Sequence, residues 1–243
     1  MAVLGDSIST GMNVSAYLKE AKDLTWSTGK NLPASHFSRF QSELGVTKIA
    51  AHNVAKAAVT SFDLGRQIDA IDSDQLDYVT MQIGANDLCL SVGKNEDQLN
   101  SYGSRIESAI DKLINRYPDV KILLTPVPYM NRLVELYGNN FKCKLVWASA
   151  KNFGLSCDSL LGRSANQSSR QKFEDYRKDL NEQLGEVAKR YPDNVSFNPG
   201  IGNTSFEKSH ISNLDCFHPD KEGQSLIADK TWDKSFAESA LFH

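Results

Sequence analysis

No apolar run in the 243-residue chain approaches the ~20 residues that a membrane-spanning helix needs; the longest, such as Val120 to Leu124, fall far short. A transmembrane segment is therefore not expected. A stripe of one charge is also missing. Lys and Arg (27) and Asp and Glu (30) are scattered to a net charge of −3, which leaves no field to hold a phosphate backbone and excludes nucleic acid as a partner. Cysteine is scarce: Cys89, Cys143, Cys157 and Cys216 show no C-x-x-C spacing, which argues against a zinc site or a dithiol redox motif and leaves two disulfides open. A glycine-rich phosphate loop is absent, which weighs against a flavodoxin-like nucleotide binder. No charged and apolar leader precedes Ala2-Val3-Leu4, so the chain is expected to be cytoplasmic or to have lost its leader. Repeats and low-complexity tracts are not seen.

What is there has the balance of an ordinary globular protein, with 40% hydrophobic and 23% charged residues, and its length fits one domain spanning 1–243. Strand-like runs recur at Ala2 to Leu4, Thr47 to Val54, Leu76 to Ile83, Val120 to Thr125 and Val195 to Phe197. Helical stripes fill the gaps. Tyr102, Ile106, Ile110, Leu113 and Ile114 share one face, as do Phe173, Tyr176, Leu180, Leu184 and Val187, and each helix stops at a Tyr-Pro-Asp. Strands alternating with helices predict a three-layer α/β/α sandwich around a parallel sheet of about five strands. In such sheets the ligand crevice lies beyond the carboxyl ends of the strands. Two aperiodic stretches, 11–32 and 131–169, are expected to be long loops that wall or cover a substrate site.

Three short motifs sit where chemistry is expected. Gly5-Asp6-Ser7 follows the first strand, where a glycine permits a tight turn that displays a serine hydroxyl. Read alone it is a plain turn or a helix cap. Asp215-Cys216-Phe217-His218 places a carboxylate three residues before an imidazole, within reach if they share a helical turn. Such a carboxylate fixes the tautomer and leaves the other ring nitrogen to take a serine proton; the bland reading is a solvated surface turn. Gly84-Ala85-Asn86-Asp87 follows the third strand and offers either an amide donor to a developing oxyanion or a cap. Together they supply nucleophile, base, orienter and oxyanion donor.

With these blocks the chain resembles the SGNH, or GDSL-type, hydrolases over nearly its whole length. The resemblance implies a flavodoxin-like sheet, no cofactor and no metal. It further implies an oxyanion hole made of the Ser7 N–H, the Asn86 amide and a backbone N–H after the second strand, where Ala58 holds the position of the family's glycine. An alanine keeps that donor, though at a cost if φ is positive. Thr25-Trp26-Ser27-Thr28-Gly29, Gly84 to Cys89 and Asp215 to His218 are similar to the phospholipase B-like branch, whose members are commonly secreted. That likeness suggests a periplasmic or extracellular protein with Cys89 joined to Cys216 across the site and Cys143 joined to Cys157 within the long loop.

The chemistry implied is acyl transfer: Ser7 attacks an ester carbonyl, His218 removes its proton, Asp215 orients His218, and water releases the acyl group. Because the base must be neutral, activity is expected to rise with pH through the range of a free imidazole, about 6.5. His36, His52, His210 and His243 are read as structural or solvated. Tyr129, Tyr137, Phe141, Trp147 and Phe153 are candidates to line an acyl pocket, although aromatics in such loops more often pin the loop to the body. Substrates expected are simple or lipid esters, including phospholipids and lysophospholipids. Acetylated sugars or thioesters, and a non-catalytic binding protein on the same scaffold, stay open as alternatives, as does the oligomeric state.

Overall fold

Five apolar runs become the strands of one parallel sheet: β1 (Ala2–Gly5), β2 (His52–Asn53), β3 (Tyr78–Gln82), β4 (Lys121–Leu124) and β5 (Val195–Phe197). They lie in the order β2-β1-β3-β4-β5. These coordinates come from a computed structural model that describes residues 1–150 and 157–241. The helices are α1 (Ser7–Thr10), α2 (His36–Ser42), α3 (Leu64–Asp69), α4 (Ala85–Ser91), α5 (Asp97–Asn100), α6 (Tyr102–Arg116), α7 (Asn131–Tyr137), α8 (Phe141–Ala150), α9 (Asp158–Leu161), α10 (Gln167–Lys189), α11 (Lys221–Thr231) and α12 (Lys234–Ser239). No described helix is long and apolar enough to cross a membrane.

Alternation along the strands sorts side chains to two faces. Ala2 and Leu4, Val79 and Met81, and Ile122 and Leu124 pack with α3, α6 and α10 in one core. Val3 faces the other way with Ile227 and Ala228 of α11, while Tyr78 and Leu123 meet Phe37 and Phe40 of α2 and Ala237 of α12. The result is the three-layer α/β/α sandwich expected from the strand and helix rhythm. At the carboxyl end of the sheet, Gly5 of β1 stands opposite Gln82 of β3. The chain order reverses at this point, which is where open α/β sheets form their crevice.

Two expectations need correction. The second strand spans only His52–Asn53 instead of Thr47 to Val54, because it is an edge strand paired with β1 alone and the residues before it are largely exposed. The segment 131–169 is not a loop: α7, α8, α9 and the start of α10 occupy its described residues. Its helices escaped notice because α8 is apolar on both sides, with Cys143 turned inward and Phe141 and Leu145 outward, so no period marks it. The stretch 11–32 is irregular except for a 3-10 turn at Lys22–Leu24, and Trp26 anchors it as a fully buried core residue.

Candidate active site

Ser7 is the first residue of α1, delivered there by a turn that its neighbours dictate. Gly5 has φ 155°, and a Cβ there would stand 2.3 Å from the Gln82 carbonyl oxygen, so only glycine fits. Gln67 of α3 clamps the same residue by accepting from its N–H and donating to its carbonyl, both at 2.9 Å. Asp6 caps the helix through Oδ1, which accepts from the Ile8 N–H at 3.0 Å. Gln224 of α11 then ties the turn to the core, donating to the Ile8 carbonyl and accepting from the Trp26 N–H, each at 2.9 Å.

Asp215 and His218 meet, but not on a helix. Residues 211–218 form turns with Cys216 at φ 57°, and Asp215 Oδ1 makes the turn by accepting from the N–H groups of Phe217 (3.0 Å) and His218 (3.1 Å). Asp215 Oδ2 lies 2.5 Å from His218 Nδ1, and His218 Nε2 lies 2.8 Å from Ser7 Oγ. Burial pushes the Asp215 carboxyl up, but the bonds from His218 and Asn13 outweigh it and hold the carboxyl below its ordinary value. An ionised Asp215 accepts a hydrogen bond from Nδ1–H, which fixes that tautomer and leaves the Nε2 lone pair facing the serine hydroxyl.

Asn13 escaped the sequence reading. Its Nδ2 donates to Asp215 Oδ2 at 2.5 Å, its Oδ1 accepts from the Leu18 N–H, and its carbonyl accepts from Ser212 Oγ at 2.7 Å. The residue is buried with φ 59°, a conformation asparagine tolerates better than most, and an asparagine in an aperiodic stretch was the one available hint.

The three implied oxyanion donors are grouped around the same space. As the first helical residue, Ser7 has no intrahelical acceptor for its N–H. Asn86, near the start of α4, donates one amide hydrogen to the Val59 carbonyl at 2.8 Å, which orients the group and leaves its second hydrogen available. Next to it Asp87 accepts from the Ser61 N–H at 3.0 Å, so consecutive residues of α4 dock the 57–61 turn. Within that turn Ala58 takes φ 62°, and its N–H has no acceptor among the described residues. The positive φ foreseen as costly for alanine is present.

Ser7, Asn86, Phe217 and His218 stand in the wall between two cavities. The larger, about 520 Å³, is walled by Met12, Tyr17 and Leu18 from the irregular stretch 11–32 and by Val146 and Trp147 of α8 and Leu161 of α9. That size is ordinary for a small-molecule site. The smaller, about 50 Å³, lies among Ile8, Met130, Leu133, Phe206 and Ile211. Of the aromatic candidates, Trp147 lines the large cavity and donates from Nε1 to the Cys216 carbonyl at 3.3 Å, whereas Tyr129 borders the small one. Tyr137 is buried with its hydroxyl on the Lys208 carbonyl, and Phe141 points outward; neither lines a cavity. Phe153 lies outside the described residues. Among those described, no cluster of three or more His, Cys, Asp or Glu is placed to hold a metal ion.

The disulfides are Cys89–Cys157 and Cys143–Cys216, not Cys89–Cys216 and Cys143–Cys157. The reason is the folding of 131–169. Cys157 caps α9, which packs on α4 and its Cys89, while α8 brings Cys143 over the turn that carries Cys216. Each bridge fastens the inserted helices to a different side of the site.

The chain belongs to the GDSL-like lipase/acylhydrolase family, whose pattern matches residues 3–226. The family is one of hydrolases. Solved structures with the same fold include an extracellular lipase from Streptomyces rimosus, 17% identical over 98% of both chains with a TM-score of 0.57. An acetyl xylan esterase is 14% identical over 96% of this chain and 98% of its own, with a TM-score of 0.54. Phospholipase A1 from Streptomyces albidoflavus is 16% identical over 94% and 98%, with a TM-score of 0.50. No curated protein matches the sequence.

Proposed function

We propose that this chain, acting as a single hydrolase domain, cleaves carboxylic esters through an acyl-enzyme on Ser7. The observation that carries the reading is the unbroken relay from Asp215 Oδ2 through His218 to Ser7 Oγ, with contacts of 2.5 and 2.8 Å. His218 Nε2 takes the serine proton as Oγ attacks the carbonyl carbon, and returns it to the departing alcohol. Water then repeats the sequence and frees the acid. Charge on the carbonyl oxygen is met by the N–H groups of Ser7 and Ala58 and the spare hydrogen of Asn86.

A cavity of about 520 Å³ with Met, Leu, Val and Trp in its walls favours an ester with an extended apolar part. Lipid esters fit that description, and similarity to the phospholipase B-like branch supports phospholipids or lysophospholipids among them. The small cavity beside Ser7, about 50 Å³, favours a second reading in which one arm of the ester is as short as an acetyl group. Two disulfides suit a secreted or periplasmic protein, where thiols stay oxidised.

Turnover of para-nitrophenyl esters of graded chain length by the parent and by Ser7→Ala tests the proposal. Ester cleavage that vanishes in Ser7→Ala supports it, and a preference for medium or long chains supports the lipid reading over the acetyl one. A folded parent that neither cleaves any ester nor is labelled by a serine-directed fluorophosphonate overturns it.

A further inference from the structure

Exposed apolar side chains scattered singly need no explanation, but here they gather. Of the eight large apolar side chains exposed among the described residues, five lie on the segments that border the large cavity: Tyr17 (49% exposed) and Leu18 (55%) in its wall, Phe141 (75%) and Leu145 (48%) on α8, whose Val146 and Trp147 line it, and Leu214 (36%) next to the lining residue Asp215. A disulfide and several hydrogen bonds hold them together. The Cys143–Cys216 bridge and the bond from Lys142 Nζ to the Asn213 carbonyl seat α8 beside Leu214. Ser212 and Asp215 bond to Asn13, and Asn13 Oδ1 holds the Leu18 N–H, so Leu18 is tied to the same turn. Phe141 and Leu145 are four residues apart on α8 and so share its outer face, which stays exposed among the described residues.

The charge of this face is opposite to that of the chain as a whole. Lys19, Lys142 and Lys144 are exposed on it, and residues 138–150 contain no acid. Glu20 lies 3.8 Å from Lys22, and Asp215 is buried in the relay. Apolar side chains flanked in sequence by Lys19, Lys142 and Lys144 fit an anionic lipid surface, whose headgroups meet the cations while Phe141 and Leu145 enter the acyl boundary. A second copy of the chain fits poorly, because a two-fold contact through this patch sets one lysine-bearing face against another. We propose that this rim docks the protein on anionic lipid bilayers with the large cavity opening toward the lipid. The proposal goes beyond ester cleavage, since docking is scored without turnover.

The test uses Ser7→Ala protein, so that lipid is not consumed, sedimented with vesicles of equal parts phosphatidylglycerol and phosphatidylcholine, or of phosphatidylcholine alone. Binding to the anionic vesicles is expected to exceed binding to the neutral ones about tenfold and to fall in high salt. Phe141→Ser with Leu145→Ser is expected to lose about tenfold or more on the anionic vesicles. Lys142→Gln with Lys144→Gln is expected to remove most of the anionic preference. Thermal melting of each variant checks that it folds, and because Phe141 and Leu145 line neither cavity, the same pair of substitutions in the Ser7 protein leaves cleavage of a soluble butyrate ester unchanged. Absence of binding by the parent, equal binding to both vesicles, or undiminished binding by Phe141→Ser with Leu145→Ser overturns the proposal. So does a dimer formed without lipid that the same substitutions dissolve.

Discussion

Asn13 Nδ2 lies 2.5 Å from Asp215 Oδ2, the same carboxylate oxygen that accepts the hydrogen bond from His218 Nδ1. Asn13 is thus a positioning residue that acts on His218 through Asp215. Hydrogen bonds to charged groups contribute about 1.5–3 kcal/mol, so Asn13→Ala should lower kcat roughly tenfold or more. Asn13→Asp should be worse, because it sets a second carboxylate against the first. Steady-state kinetics that rank the two variants the other way contradict this role.

Asn86→Ala removes the proposed oxyanion donor and the bond to the Val59 carbonyl, while Asp87 still holds the turn. Kcat for a soluble ester should fall about 10²–10³-fold, with KM and melting temperature little changed. A parallel loss of folding would mean that the amide mainly props the 57–61 turn.

Ala58 sits at φ 62°, where an L side chain costs roughly 1–2 kcal/mol. Ala58→Gly removes that strain but adds freedom to the unfolded chain worth about 0.5–1 kcal/mol. Urea denaturation should therefore find the variant equal to the parent or up to about 1 kcal/mol more stable, and kcat should stay within about twofold because the N–H remains.

Cys89–Cys157 and Cys143–Cys216 close loops of 68 and 73 residues. Chain entropy alone assigns about 4 kcal/mol to a loop of that size. Cys143→Ser with Cys216→Ser should lower the melting temperature by many degrees. Peptide mapping without reductant should recover the two pairs named here, and recovery of Cys89 with Cys216 would refute the arrangement of α8 and α9.

Asp6 is buried, its Oδ2 has no partner among the described residues, and burial pushes its carboxyl up to about 6. In the unfolded chain it titrates near 3.8, so the folded protein holds its proton more tightly. Its contribution to stability is therefore complete below about pH 3.8 and is lost as pH rises through 6. Asp6→Asn keeps the cap on Ile8 and cannot ionise. Relative to that variant, the parent should lose on the order of 3 kcal/mol between pH 4 and pH 7 in urea unfolding. A difference that does not change with pH would show that Asp6 titrates normally.

Ser7, Asn86, Asp215 and His218 were legible in the sequence because each lies just past a strand or beside its partner, so local spacing already carried the pattern. The helical turn assumed for Asp215 and His218 was wrong in form only; the carboxylate builds its own turn from the following N–H groups. Asn13 was not legible, since its contact with Asp215 spans 202 positions and exists only after the first irregular stretch folds back. The disulfide pairing failed for the same reason. Cysteine spacing carries no information on where α8 and α9 lie, and α8, apolar on two sides, offered no period from which to place it.

Ser7 and His218 come from positions 211 apart. Their 2.8 Å contact exists only once the intervening strands β2 to β5 are in place, so the relay reports on the integrity of the whole sheet.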